Sequence, residues 1–191
     1  MRVMQFAEKP SIIVERLGRG KLAVSARAMT AAKHCLDLPR SPGLRRSIVL
    51  DTNVVLDLWL FAESAALPLR AAVEAGRLDV LVTQPMLDEL ADVLTRPFAA
   101  GRHAAAPTVL AALRACSRVV DPPPAAAPFP PRCSDPDDQK FVDLAWHWPV
   151  QWLVSRDRAV LKLARSARAR GLAIITPARW AEVFTARDAD G

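Results

Sequence analysis

The sequence predicts an α/β fold, a three-layer α/β/α arrangement around a five-stranded, mainly parallel sheet. Three observations carry that expectation. Short apolar runs recur along the chain at 47–50 (SIVL), 78–83 (LDVLVT), 117–121 (SRVVD), 150–155 (VQWLVS) and 172–176 (LAIIT). Stretches with helical spacing separate them, and strands that alternate with helices pack as a parallel sheet with crossover helices. Composition is that of an ordinary globular chain, with 51% apolar and 24% charged residues, so 191 residues bury a core without disulfides or structural metal.

The elements follow in order. Residues 1–45 carry weak helical patterning at 22–36 and break at PRSPG (39–43), a linker signal. The folded unit, 46–186, opens with RSIVLDTN, in which SIVL suits a strand buried on both faces and Asp51 stands at its carboxyl end. VVLDLWLF (54–61) reads as a buried helix, and a second helix at 68–76 ends at Gly76. After the 78–83 strand, residues 83–98 read as a helix with Thr83 as N-cap and Pro85 in the first turn. Leu87, Leu90 and Leu94 mark its buried face, and Pro97 stops it. A helix at 107–116 precedes the third strand, and PPPAAAPFPPRC (122–133) is a stiff, extended connection. Residues 134–148 open with capping chemistry and continue as a helix; 156–171 form another, closed by Gly171, and 177–184 a last short one.

Charge and cysteine usage narrow the classes. The net charge is +6, yet residues 1–46 hold ten Lys/Arg against three Asp/Glu, while the remainder balances to −1. The basic excess therefore sits in the N-terminal extension, which reads as a solvated, partly disordered leader in preference to a basic arm for nucleic acid or an acidic partner. No apolar stretch is long enough to span a membrane, and the first twenty residues lack the apolar block of a secretory signal. Cys35, Cys116 and Cys133 are odd in number and far apart, with no CxxC pair, so neither a zinc site nor a disulfide framework is expected. Thiols in a reducing cytoplasm are the preferred reading.

Ligands of parallel sheets sit beyond the carboxyl ends of the strands. Asp51 follows the first strand, Asp157 follows the fourth, and Asp135, Asp137 and Asp138 cluster before a helix after the third. Carboxylates brought together there repel unless cations lie between them. Oxygen-only ligands suit Mg²⁺ or Mn²⁺, and such sites serve phosphodiester hydrolysis, often with two ions about 3.5–4 Å apart. Glu89 lies off the apolar stripe of its helix, and periodicity alone does not separate it from a solvated surface acid. Asp57 and Asp143 read as helix-surface acids.

IVLDTNVVLD (48–57), LDELADVLTRP (87–97), SDPDDQKFVDLAW (134–146) and LVSRDRAVLKL (153–163) together resemble the PIN-domain family, in the branch of toxin components of toxin–antitoxin systems related to VapC ribonucleases. The resemblance covers roughly residues 46–184. It implies a five-stranded parallel sheet between helices and a metal-dependent endoribonuclease using Mg²⁺ or Mn²⁺. Its four acids map onto Asp51, Glu89, Asp138 and Asp157 as catalytic and metal-binding residues, with Asp135 or Asp137 as the alternative to Asp138. Ser155 takes the Ser/Thr position of the last motif as a donor to a carboxylate, Asn53 orients Asp51 or a metal-bound water, and Asp135 supports the cluster. The chain departs from the family at WHWPVQW (146–152), where small residues are commoner and Pro149 ends the helix early. A small antitoxin protein across the acidic cleft and a homodimer through the 54–61 helix are also implied.

Arg158, Lys162 and Arg165 stand at i, i+4 and i+7 beside Asp157 and share a helix face suited to RNA phosphates. Trp146, Trp148 and Trp152 read as packing residues before base-stacking ones, and no histidine is assigned a role. The competing functions are a housekeeping RNA-processing nuclease of the same fold and a catalytically silent RNA-binding or protein-interaction module. A phosphoacceptor reading of Asp51 lacks an adjacent acidic pair and a lysine after the last strand.

Overall fold

The computed structural model describes residues 46–96, 106–124 and 130–189. The helical patterning at 22–36, the linker at 39–43, the stop at Pro97 and part of the proline-rich connection lie outside the described residues. Five strands, β1 (Arg46–Leu50), β2 (Leu78–Val82), β3 (Ser117–Val119), β4 (Trp152–Val154) and β5 (Ala173–Ile175), form one sheet in the order β3-β2-β1-β4-β5. Every pairing is parallel, so the sheet is wholly rather than mainly parallel.

With right-handed crossovers, the strand order decides which face of the sheet each connection covers. The chain steps outward from β1 to β2 and β3, then returns to place β4 on the other side of β1. Helices of the first half therefore cover one face and those around β4 the other. Ile48, Val49, Leu153 and Val154 are fully buried, as a strand covered on both faces requires. The reversal makes the gap between the carboxyl ends of β1 and β4 a topological switch point, the usual place for a ligand in such sheets.

The helices are α1 (Thr52–Leu56), α2 (Leu67–Glu74), α3 (Gln84–Val93), α4 (Ala106–Cys116), α5 (Gln139–His147), α6 (Arg158–Leu161), α7 (Ala164–Arg168) and α8 (Pro177–Ala189). A π-helical turn, Asp57–Phe61, continues α1. Leu87, Leu90 and Leu94 are buried as expected, and Gly76 and Gly171 take positive φ just past the ends of α2 and α7.

Several expectations change. The 83–98 helix stops at Val93, ahead of Pro97. Helix α5 begins at Gln139, five residues later than 134, because Asp135 accepts the backbone N–H of Asp137 (2.9 Å) in a local turn instead of capping a helix. The 156–171 helix is two short pieces, α6 and α7. Helix α8 runs past 184 to Ala189. In the 54–61 segment Val54, Val55, Leu56, Leu58 and Leu60 are buried inside this chain, and Trp59 and Phe61 are half-buried. At the far end of the sheet Trp152, Trp180 and Phe184 pack together, with Trp180 stacked on Phe184 at 4.4 Å between centroids.

Candidate active site

Asp51 sits one residue beyond β1, and its backbone N–H bonds the carbonyl of Val154 at the end of β4 (3.0 Å). That register fixes it at the switch point. Its side chain is buried, and both Asn53 Nδ2 (2.8 Å) and the Ser155 hydroxyl donate to Oδ2. Ser155, fully buried, also accepts the backbone N–H of Asp157 (2.9 Å). One hydroxyl thus ties the acid after β1 to the acid after β4. Asn53 adds a second tie, since its Oδ1 accepts the backbone N–H of Arg156 (3.2 Å).

The other acids arrive from three more segments. Asp157 caps α6, its Oδ1 accepting the N–H of Ala159 (2.6 Å), so the N-cap reading is true as well. Asp138 stands immediately before α5 and does not cap it through its side chain. Glu89 rises from α3, where Thr52 Oγ1 donates to its Oε1 (2.8 Å) and Lys140 forms an ion pair with its Oε2. Lys140 comes from the first turn of α5 and also donates to the carbonyl of Asp137.

Electrostatics shows that these acids converge. Burial, followed by the charges of Asp51, Asp157, Asp135 and Glu89, pushes Asp138 from an ordinary 3.8 up to about 7. Burial also raises Asp51, aided by the charge of Glu89 and opposed by the hydrogen bonds from Ser155 and Asn53. Among the described residues, no three histidine, cysteine, aspartate or glutamate side chains are drawn tightly enough to hold an ion as they stand. A divalent cation would have to pull them inward. The donor chemistry fits one: hard oxygen ligands whose mutual repulsion a cation relieves.

A family model described as the PIN domain matches residues 47–159. The chain belongs to the PIN-domain family. PIN domains are typically nucleases and generally use divalent metal ions, so the acids at the switch point lie on a nuclease fold. Among curated proteins, no match to the chain was found.

Two participants in this PIN domain escaped the sequence. Asp57 is buried, not a surface acid: Arg156 Nη1 lies 2.7 Å from both of its carboxylate oxygens. The pair joins the π-helical turn to the loop after β4 and so fixes the segment that carries Ser155 and Asp157. Its signal was the apolar density around Asp57, which left an acid inside a buried helix without a partner. Lys140 is the second; a lysine beside three acids reads as solvated until its partner on α3 is seen. The matched PIN region ends at 159, and Arg158, Lys162 and Arg165, at or just beyond that boundary, are all exposed. Arg158 lies on α6, Lys162 at its C-cap and Arg165 on α7, across a two-residue turn. Asp143 accepts from Gln139 Nε2 (2.7 Å) within α5, and Asp135 and Asp137 are exposed.

The tryptophans lie elsewhere. Trp146 and Trp148 border a cavity of about 280 Å³ at the amino ends of β4 and β5, opposite the acids, and Trp152 is in the core. The Arg170 guanidinium lies over the Trp146 ring at 4.8 Å.

Proposed function

We propose that the chain is a divalent-metal-dependent endoribonuclease. The observation that carries the reading is the convergence of Asp51, Asp138, Asp157 and Glu89, from four separate segments, at the β1/β4 switch point of a PIN domain. Asp51, Asp138 and Asp157 hold Mg²⁺ or Mn²⁺, with Glu89 at the edge of the cluster and Asp135 supporting it. The bound ion supplies an activated water and charge to offset the phosphate. Ser155 and Asn53 hold Asp51 in one rotamer, and Arg156, clamped by Asp57, holds the loop that presents Asp157. Arg158, Lys162 and Arg165 offer cations beside the cleft for the phosphates on either side of the scissile bond.

Cleavage of a mixed RNA pool with Mg²⁺ or Mn²⁺ tests this. The wild type is expected to cut, and Asp51→Asn and Asp138→Asn each to lose more than the roughly 10–100-fold that a change outside the ligand set costs. Equal cleavage by all three sinks the site assignment, and no cleavage by the wild type with any metal favours a silent binding module. Within the nuclease reading, the resemblance of the motifs favours a cytoplasmic toxin silenced by a small antitoxin protein over a housekeeping RNA-processing enzyme. Growth arrest on expression, relieved by Asp51→Asn, separates those two.

A further inference from the structure

Glu89 is already compensated by charge from within the chain. Its Oε1 accepts from Thr52 (2.8 Å) and its Oε2 is ion-paired with Lys140. Lys140 is not a loose surface lysine. Its ammonium is held by three groups: Glu89 on α3, the carbonyl of Asp137, and the face of the Phe141 ring at 5.1 Å from the centroid. Only 27% of its side chain is exposed, so the pair is screened less than an open surface pair. A second ion in a two-metal site lies about 3.5–4 Å from the first. At Glu89 it would meet the Lys140 ammonium on Oε2 and the Thr52 hydroxyl on Oε1, and two cations on one carboxylate repel. With Glu89 neutralised by Lys140, three carboxylates, Asp51, Asp138 and Asp157, remain for one divalent ion.

We propose that Lys140 takes the place of a second metal ion at Glu89, so that the site binds a single divalent cation and the lysine supplies the other positive charge. The proposal rests on the metal-dependent nuclease reading and specifies its ion count. Lys140 is a positioning residue in this scheme. It sets where the cation sits by occupying Glu89, whether or not it later touches substrate.

Calorimetric titration of the metal-stripped full chain with Mn²⁺ tests it, alongside electron paramagnetic resonance of the loaded protein. The wild type is expected to bind one Mn²⁺ with the spectrum of an isolated ion. Lys140→Met is expected to bind two, with the spin coupling of neighbouring ions, and Lys140→Arg to return to one. A purely structural role for the lysine would leave the stoichiometry unchanged or reduce it. Two ions on the wild type, or one on Lys140→Met, overturn the lysine proposal and leave the nuclease reading standing. No ion on the wild type overturns both. Should Lys140→Met not fold, the wild-type count still decides, and Lys140→Gln serves as the second neutral variant.

Discussion

At the scale of single residues the site depends on one buried hydroxyl. Ser155 donates to Asp51 and accepts from the backbone of Asp157, so it holds two acids at once while lowering the cost of ionising the more deeply buried one. Ser155→Ala removes one of the two donors to this buried carboxylate and leaves Asn53 as the other, at a cost of about 1–3 kcal/mol for a hydrogen bond to a charged group. Ser155→Ala is therefore expected to weaken Mn²⁺ binding about 10–100-fold, the usual effect of losing a group that orients a ligand, with Ser155→Thr recovering most of it. Calorimetric dissociation constants check this, and an affinity for Ser155→Ala equal to the wild type removes the hydroxyl from the metal argument. Residues of this kind were partly legible. Asp51 and Asp157 were visible because strand ends are visible, and Ser155 because it fills a motif position. Glu89 needed the family, since an acid off the apolar stripe looks the same whether or not it faces a site. Asp57 and Lys140 were not legible, because their partners lie 99 and 51 residues away and no local pattern encodes such pairs.

At the scale of elements, apolar runs told where strands lie, while polar clusters misled about where helices begin. The acids at 135–138 suggested a cap, yet the backbone there closes a turn through Asp135, and α5 starts only at Gln139. That delay matters, because it leaves Asp138 at the helix edge with its carboxylate free of capping and within electrostatic reach of Asp51. The basic stretch after β4 has the sequence pattern of one helix and is two short helices. Its cations nonetheless reach solvent, and counterion release depends on charge near phosphate more than on helix continuity. Replacing Arg158, Lys162 and Arg165 together by Gln is expected to lower the slope of log affinity for single-stranded RNA against log salt by up to about 2, near 0.7 for each phosphate that is no longer neutralised. Filter binding between low and moderate salt measures it. A slope identical to the wild type would return these residues to the solvated surface.

At the scale of the whole molecule, the sheet order is what turns scattered acids into a charged cluster, and the cluster links stability to pH and metal. The alternation of apolar runs was enough to expect a parallel sheet, but only the order β3-β2-β1-β4-β5 places the ends of β1 and β4 side by side. The folded protein then holds Asp138 near pKa 7, well above its ordinary 3.8. A raised folded-state value means the folded chain binds the proton more tightly than the unfolded chain between those two values. For this group, stability is therefore full below about pH 4, declines as pH rises from 4 to 7, and stays reduced above 7, where Asp138 is ionised among its neighbours. A divalent cation reverses the sign of that interaction. Its stabilisation grows with bound fraction, reaching about 2.7 kcal/mol at one hundred times the dissociation constant. Binding must displace the Asp138 proton below pH 7, so the rise in melting temperature caused by a fixed Mn²⁺ concentration should be small at pH 5, grow through pH 7 and level off by pH 8. Asp138→Asn should flatten both curves, removing the acid-side advantage of the metal-free protein and most of the metal-induced shift. Thermal unfolding across that range, with EDTA and with Mn²⁺, measures both effects, and a metal-induced shift as large at pH 5 as at pH 8 would place the ion away from Asp138.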